Sequence, residues 1–228
     1  MKTNIISVKY ADSKLSEKLV FLGGNEKAVV PIVFIIYVIK TEDRVILVDP
    51  GCDAMPGFEM NNYILPVDAL KEAGIHADEV TDVIITHAHH DHIQAVKHFP
   101  NAIVYIQNEE YKSGQKYLEA NKMIVRFEES IDVVDGVHIV RIGGHTNGSC
   151  IVVVDTDTKK YVIAGDECYK KICIEKKILP GNHRNLENSM AFFEKYDGEE
   201  YEVLLCHEEY IIMAEEKDVF KNRQWIRI

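Results

Sequence analysis

Six consecutive residues, His87-Ala88-His89-His90-Asp91-His92, place three imidazoles and a carboxylate in the spacing H-x-H-x-D-H. Imidazole and carboxylate are the natural ligands of zinc and of other first-row divalent ions. So many ligand-type groups at the end of one strand point to an ion, because lone polar groups rarely gather there without one. His87 and His89 lie two apart while Asp91 and His92 are adjacent, so one ion can take the first pair and a neighbouring ion the second. The spacing predicts two sites. His90 is left outside them, as a residue of the loop or of a helix start.

Such ligands need a stiff mount. The β-branched run at residues 83–85 reads as a buried strand leading straight into the histidines, and residues 91–98 read as a helix stopped by Pro100. Upstream, residues 5–9, 33–39 and 45–48 read as strands, and Asp49-Pro50-Gly51 turns the chain after the last of them. A short helix is expected over 66–73, with Pro at its start and Gly74 after its end. Downstream come a strand at 103–106 and a helix from Glu109 to about Ala120 capped by Asn108. Strands follow at 137–142, 151–155 and 161–164. Residues 186–196 form an amphipathic helix with Leu186, Met190 and Phe193 on one face, and a last strand covers 203–205. Strands in both halves with interposed helices predict an α/β protein. The expected arrangement is a four-layer αββα sandwich of two mixed β-sheets flanked by helices. Without a linker or an internal repeat, residues 1–228 are expected to form one domain.

A formal charge of -11 speaks against binding nucleic acid, which needs clustered Lys and Arg to displace counterions. The longest apolar run, residues 32–39, is far short of the roughly 20 residues that span a bilayer. The first 14 residues hold no apolar stretch of signal-peptide length, so the expectation is a cytoplasmic protein with neither membrane anchor nor nucleic-acid partner. Five cysteines without a C-x-x-C are expected as reduced, buried thiols. Cys168 and Cys206 fall close to the candidate ligands but are given no catalytic role.

With its H-x-H-x-D-H run the chain resembles the metallo-β-lactamase superfamily, and the other landmarks of that family follow in order. They are Asp49 in Val48-Asp49-Pro50-Gly51, His145 in Gly143-Gly144-His145-Thr146-Asn147-Gly148-Ser149, Asp166 after Gly165, and His207 after the last strand. The resemblance implies that His87, His89 and His145 bind one metal, that Asp91, His92 and His207 bind the other, and that Asp166 bridges both. Asp49 would support the metal loop by hydrogen bonding. It further implies two divalent metal ions, with zinc expected and manganese or iron suited to the same donors, and a bridging hydroxide made available because metals lower the pKa of bound water from about 16 to around 7.

Departures from the family's branches narrow the expectation. Oxygen-reducing diiron relatives commonly carry Glu at the position of His89, several true β-lactamases carry Cys at Asp166, and many RNA-processing relatives place Pro after the last His. In Asp166-Glu167-Cys168-Tyr169 the chain is similar to N-acyl-homoserine lactonases, in which the equivalent Tyr hydrogen-bonds the substrate carbonyl. Asn108-Glu109-Glu110-Tyr111 and Leu179-Pro180-Gly181 add softer matches. The resemblance implies hydrolysis of a lactone or small ester, with Asp91 and Tyr169 as the catalytic residues and a small-molecule lactone or ester as the partner. A thioesterase of the hydroxyacylglutathione hydrolase type and a non-catalytic binding protein stapled by metal are the alternatives. His183 stays outside the site.

Overall fold

The apolar, β-branched run that leads the first half becomes a long central strand whose two faces enter two different cores. The computed structural model describes residues 3–156, 159–209, 219–220 and 223–224. Its first sheet has six strands in sequence order: β1 (Asn4–Ser16), β2 (Val29–Lys40), β3 (Val45–Val48), β4 (Asp82–Ile85), β5 (Ile103–Gln107) and β6 (Met123–Phe127). The first three pair antiparallel and the last three continue in parallel. The second sheet runs β11 (Tyr201–Leu204), β10 (Lys160–Ile163), β9 (Cys150–Asp155), β8 (Val137–Arg141), β7 (Ser130–Val134), with only β10 and β11 parallel. A two-stranded ribbon, β12 (Val219–Phe220) with β13 (Arg223–Gln224), completes the strands among the described residues.

Period-two alternation sorts the side chains into layers. Val33, Ile35, Tyr37 and Ile39 of β2 pack with Val137, Ile139, Val152 and Val154 of the second sheet. The opposite face of the same strand, Phe34, Ile36 and Val38, packs with Leu70, Ile93, Val96 and Phe99 from outer helices. On the far side, Ile151, Val153 and Val162 meet Phe192, Phe193 and Tyr196 of the helix Leu186–Tyr196. The result is the expected four-layer arrangement of two mixed sheets between helices. All five cysteines are buried free thiols. Among the described residues no helix is long and apolar enough to cross a membrane.

Several local expectations change. β1 runs on to Ser16 because its polar end pairs with Val29 to Pro31, across a register shift between Lys9 and Ala11. The helix expected over 91–98 divides into α3 (His90–Ile93) and a tighter 3₁₀ turn over Gln94–His98. With α1 (Glu17–Val20) and α2 (Pro66–Glu72) before it, the next helix is α4 (Asn108–Gly114). Gln107, not Asn108, caps it, its side chain accepting the Glu109 N–H. α4 passes directly into a 3₁₀ turn over Gln115–Tyr117, and at the junction Gly114 lies so close to Ile93 that a Cβ there would be 2.7 Å from Ile93 Cδ1. Strands β6 and β7 and the short α5 (Lys171–Lys176) were not expected. In α6 (Leu186–Tyr196), the buried face is Ser189, Phe192, Phe193 and Tyr196, while Leu186 and Met190 lie exposed. Of the three apolar residues expected to share the inner face, only Phe193 does.

Candidate metal centre

The chain leaves β4 at Ile85, and Thr86 is where the first sheet becomes the site. Asp49, one residue beyond β3, extends the ladder by donating its N–H to the Ile84 carbonyl (2.9 Å) and then turns sharply, with φ of 55°. Asp is among the few side chains that tolerate that left-handed conformation. Its buried carboxylate accepts the Thr86 N–H (2.8 Å), the Thr86 hydroxyl (2.7 Å) and the Nδ1–H of His92 (2.8 Å). Both ends of the loop from 86 to 92 therefore hang on one carboxylate.

The structure brings all seven residues singled out as ligands together in two groups. The ligand-type atoms of His87, His89, His145 and Asp166 lie within 4.8 Å of one another, and so do those of Asp91, His92 and His207. His89 Nδ1 sits 3.0 Å from His87 Nε2 and 2.9 Å from His145 Nε2. Asp166 stands between the groups. Its Oδ2 faces His145 Nε2 (3.4 Å) and His87 Nε2 (3.7 Å), while Oδ1 faces His207 Nε2 (3.0 Å) and His92 Nε2 (3.1 Å). Asp91 Oδ2 closes the second group, 3.5 Å from His92 Nε2 and 3.7 Å from His207 Nε2.

Outer partners fix which ring nitrogen carries the proton. His145 Nδ1 donates to the Asn182 carbonyl (2.8 Å), His207 Nδ1 to the Val33 carbonyl (3.0 Å) and His92 Nδ1 to Asp49. The Thr86 hydroxyl gives its proton to Asp49 and so accepts from His87 Nδ1 (3.1 Å). In their neutral form these four rings turn Nε2 lone pairs on a carboxylate, a cluster of acceptors with few donors. His92 Nε2 and Asp166 Oδ1 are buried without a hydrogen-bond partner. Acceptors packed this way call for cations, so the donor set fits a pair of metal ions.

The electrostatics divide along the same line. Burial lowers the pKa of His87, His89 and His145, which favours the neutral, ligating form. Burial would also lower His92 and His207, but the carboxylates of Asp166 and Asp91 outweigh it and raise both. Asp166 is held well below the usual carboxylate range by His92, His207 and His145 despite its burial. Asp49, His92 and Cys206 make a third compact group. In it Asp49 already accepts three protein hydrogens, and burial pushes the Cys206 thiol well up, so the group supports the loop.

Tyr169 lies buried beside the centre, its hydroxyl donating to Asp166 Oδ2 (2.7 Å) and its ring stacked on His207 at 5.3 Å. Burial, and then the Asp166 charge, raise this phenol well above its ordinary pKa, so it stays a donor. The two histidines set aside are engaged elsewhere. His90 bridges the Ala54 carbonyl (2.7 Å) and the Tyr117 hydroxyl (3.1 Å), and His183 bonds the Pro180 carbonyl (2.8 Å) in its own loop.

A cleft of about 240 Å³ opens over the centre. Its floor holds His89, Asp91, Asp166, Tyr169 and His207, and its wall is mostly apolar, built by Leu15, Leu19, Met55 and Phe58 with His90 and Asn182 also lining it. Leu19 belongs to α1, which is pressed on the loop bearing Asn182. Leu22 N–H bonds the Leu179 carbonyl, Asn182 N–H bonds the Leu19 carbonyl, and a Cβ on Gly181 would fall 1.8 Å from the Lys18 carbonyl oxygen.

Two supporting carboxylates escaped the sequence reading as site residues. Glu167 accepts the Gly144 and His145 N–H groups (both 3.1 Å) and the Ser149 hydroxyl, and burial pushes its carboxyl up to about 7. Glu110 is the other, buried on α4. The signal for Glu167 was its place directly after Asp166.

The chain is similar to known proteins in sequence and in fold. The family described as the metallo-beta-lactamase superfamily matches residues 36–207. An N-acyl homoserine lactonase from Bacillus sp is 27% identical over 169 residues, which cover 62% of this chain and 66% of that protein. The chain thus spans just under two thirds of the length of the curated relatives it matches first. An N-acyl homoserine lactone hydrolase, solved with the product N-hexanoyl-L-homoserine at its catalytic metal center, shares the fold with a TM-score of 0.78. It is 18% identical, over 90% of this chain and 92% of that one. A dizinc quorum-quenching lactonase aligns with a TM-score of 0.69 at 17% identity, over 85% and 82% of the two chains. The matched span begins in β2 and ends on His207, taking in every residue of both ligand groups, and the chain belongs to the metallo-β-lactamase superfamily.

Proposed function

We propose that this protein is a dinuclear metal hydrolase that opens a lactone or small ester, in the manner of the N-acyl homoserine lactonases it is similar to. The observation that carries this reading is Asp166, whose two carboxylate oxygens face two separate ligand groups. His87, His89 and His145 would hold one ion, Asp91, His92 and His207 the other, and Asp166 both. Zinc suits an imidazole-rich set, and manganese or iron fit the same donors. When bound, such a pair supplies a hydroxide from water near neutral pH and Lewis acidity toward a carbonyl oxygen.

The remaining work falls to the chain. Leu15, Leu19, Met55 and Phe58 take an acyl chain along the wall and leave the ester group over the floor. The Tyr169 hydroxyl, already aimed into the centre, turns from Asp166 Oδ2 to the substrate carbonyl oxygen as charge grows there. Asp91, in the floor of the cleft, takes the proton released when water adds to the carbonyl carbon. It returns that proton to the alkoxide oxygen as the carbon–oxygen bond of the ring breaks. The product is the open hydroxy acid.

Metal analysis together with hydrolysis rates over N-acyl lactones, simple esters and thioesters tests this reading. About two ions per chain and fastest turnover on lactones are expected; fastest turnover on thioesters would replace the substrate class. Tyr169→Phe removes one donor and almost no volume. It should slow lactone turnover about ten- to a hundredfold with metal content unchanged, and a variant as fast as wild type would return Tyr169 to a packing role.

His145→Ala and His207→Ala should each weaken a different ion. Stepwise chelation reads this, and loss of the same ion first in both variants would overturn the division of ligands.

A further inference from the structure

Glu110, on the first turn of α4, is a buried carboxylate that takes no part in the reaction outlined above. Its Oε2 accepts the Ala88 N–H (2.8 Å), and its Oε1 accepts the Thr146 hydroxyl (2.6 Å) and the Gly148 N–H (3.0 Å). Ala88 stands between His87 and His89, and Thr146 follows His145. Each of those two donors is thus covalently next to a member of the first ligand group. The second group is anchored elsewhere, His92 on Asp49 and His207 on the Val33 carbonyl of β2. Close approach is built in at Gly148, where a Cβ would fall 2.9 Å from Glu110 Oε1 and 2.3 Å from Gln107 Oε1.

We propose that Glu110 is a positioning residue for one ion alone, clamping the His87–His89 loop to the His145 loop so that three imidazoles from two chain segments meet at a single point. The inference rests on the two-ion reading and goes beyond it, by giving the first site a support of its own in addition to the Asp49 anchor that both groups share. Glutamine cannot replace the clamp. An amide offers one accepting oxygen, so either the Ala88 N–H or the pair from Thr146 and Gly148 must face an NH₂ group, donor against donor.

The test reloads metal-free protein with cobalt(II) and follows its absorption bands and bound-ion content. In a His207→Ala background the retained ion is the one at His87, His89 and His145; in a His145→Ala background it is the other. Adding Glu110→Gln to the first background should weaken cobalt binding about ten- to a hundredfold, the usual cost of losing an outer support of a metal ligand, and should change the second by less than about threefold. Thr146→Val, which removes one hydroxyl donor while keeping the shape, should weaken the same ion by a smaller factor and serves if Glu110→Gln does not fold.

Equal weakening in both backgrounds, or none in the first, overturns the inference while leaving the two-ion reading in place. A wild-type protein that takes up a single cobalt ion overturns both.

Discussion

Asp166→Ala should leave the protein unable to hold either ion and reduce hydrolysis by more than about a thousandfold. Even one lost donor to a developing charge costs about 10²–10³ in rate, and here the groups that supply nucleophile and charge stabilisation would go together. The reason is geometric: Oδ1 and Oδ2 serve different ligand groups, so truncation takes one ligand from each. It also removes the charge that raises His92 and His207 and the acceptor of the Tyr169 hydroxyl. Elemental analysis after dialysis against a weak chelator checks it. A variant that keeps one ion at wild-type affinity would show that Asp166 is not shared.

Asp49→Ala should be the most damaging change to the metal-free fold among the site residues. Three buried donors, the Thr86 N–H, the Thr86 hydroxyl and His92 Nδ1–H, lose their acceptor together, and Ala must adopt the φ of 55° that Asp tolerates better. Removing one partner of such a buried network costs about 3 to 5 kcal/mol. For a chain of this length that lowers the melting temperature by roughly 10 °C. Urea unfolding with the metal stripped separates this cost from lost ligation. A difference under about 1 kcal/mol would mean that the loop is held by its backbone pairing instead, since surface-type changes fall in that range.

The site was more legible than the fold around it, for a physical reason. His87 to His92 concentrate ligand-type groups at one strand end, and the family resemblance then singles out His145, Asp166 and His207, so the candidates that the structure gathers could be named before any packing was known. The central strands were legible because β2 and β3 are buried along most of their length and are apolar for that reason. β6 and β7 were not, since these five-residue edge strands are mostly exposed or half-buried and carry too few buried apolar residues to stand out. Asn108 looked like the cap of α4 because its type favours that role. Gln107 takes it because its backbone is still extended where β5 ends. Glu110 entered the sequence reading only within a softer family match, and its supporting role stayed hidden for the opposite reason to the histidines. An acidic residue in a helix's first turn is ordinary on a surface, and only the loop over 143–149, folded across it, turns it into a buried support.

Under the proposed function, the seam between α1 and the loop around Gly181 ties the wall of the cleft to a candidate metal ligand. Leu19 lines the wall, its carbonyl holds Asn182, and the Asn182 carbonyl orients His145, with no room for even a methyl group at Gly181. Replacing residues 15–22 to reshape the wall therefore moves the acceptor that sets the tautomer of His145. For the proposed hydrolase, redesign of the wall has to treat 15–22, 179–182 and His145 as one exchangeable unit, because a graft of the wall alone is expected to cost turnover.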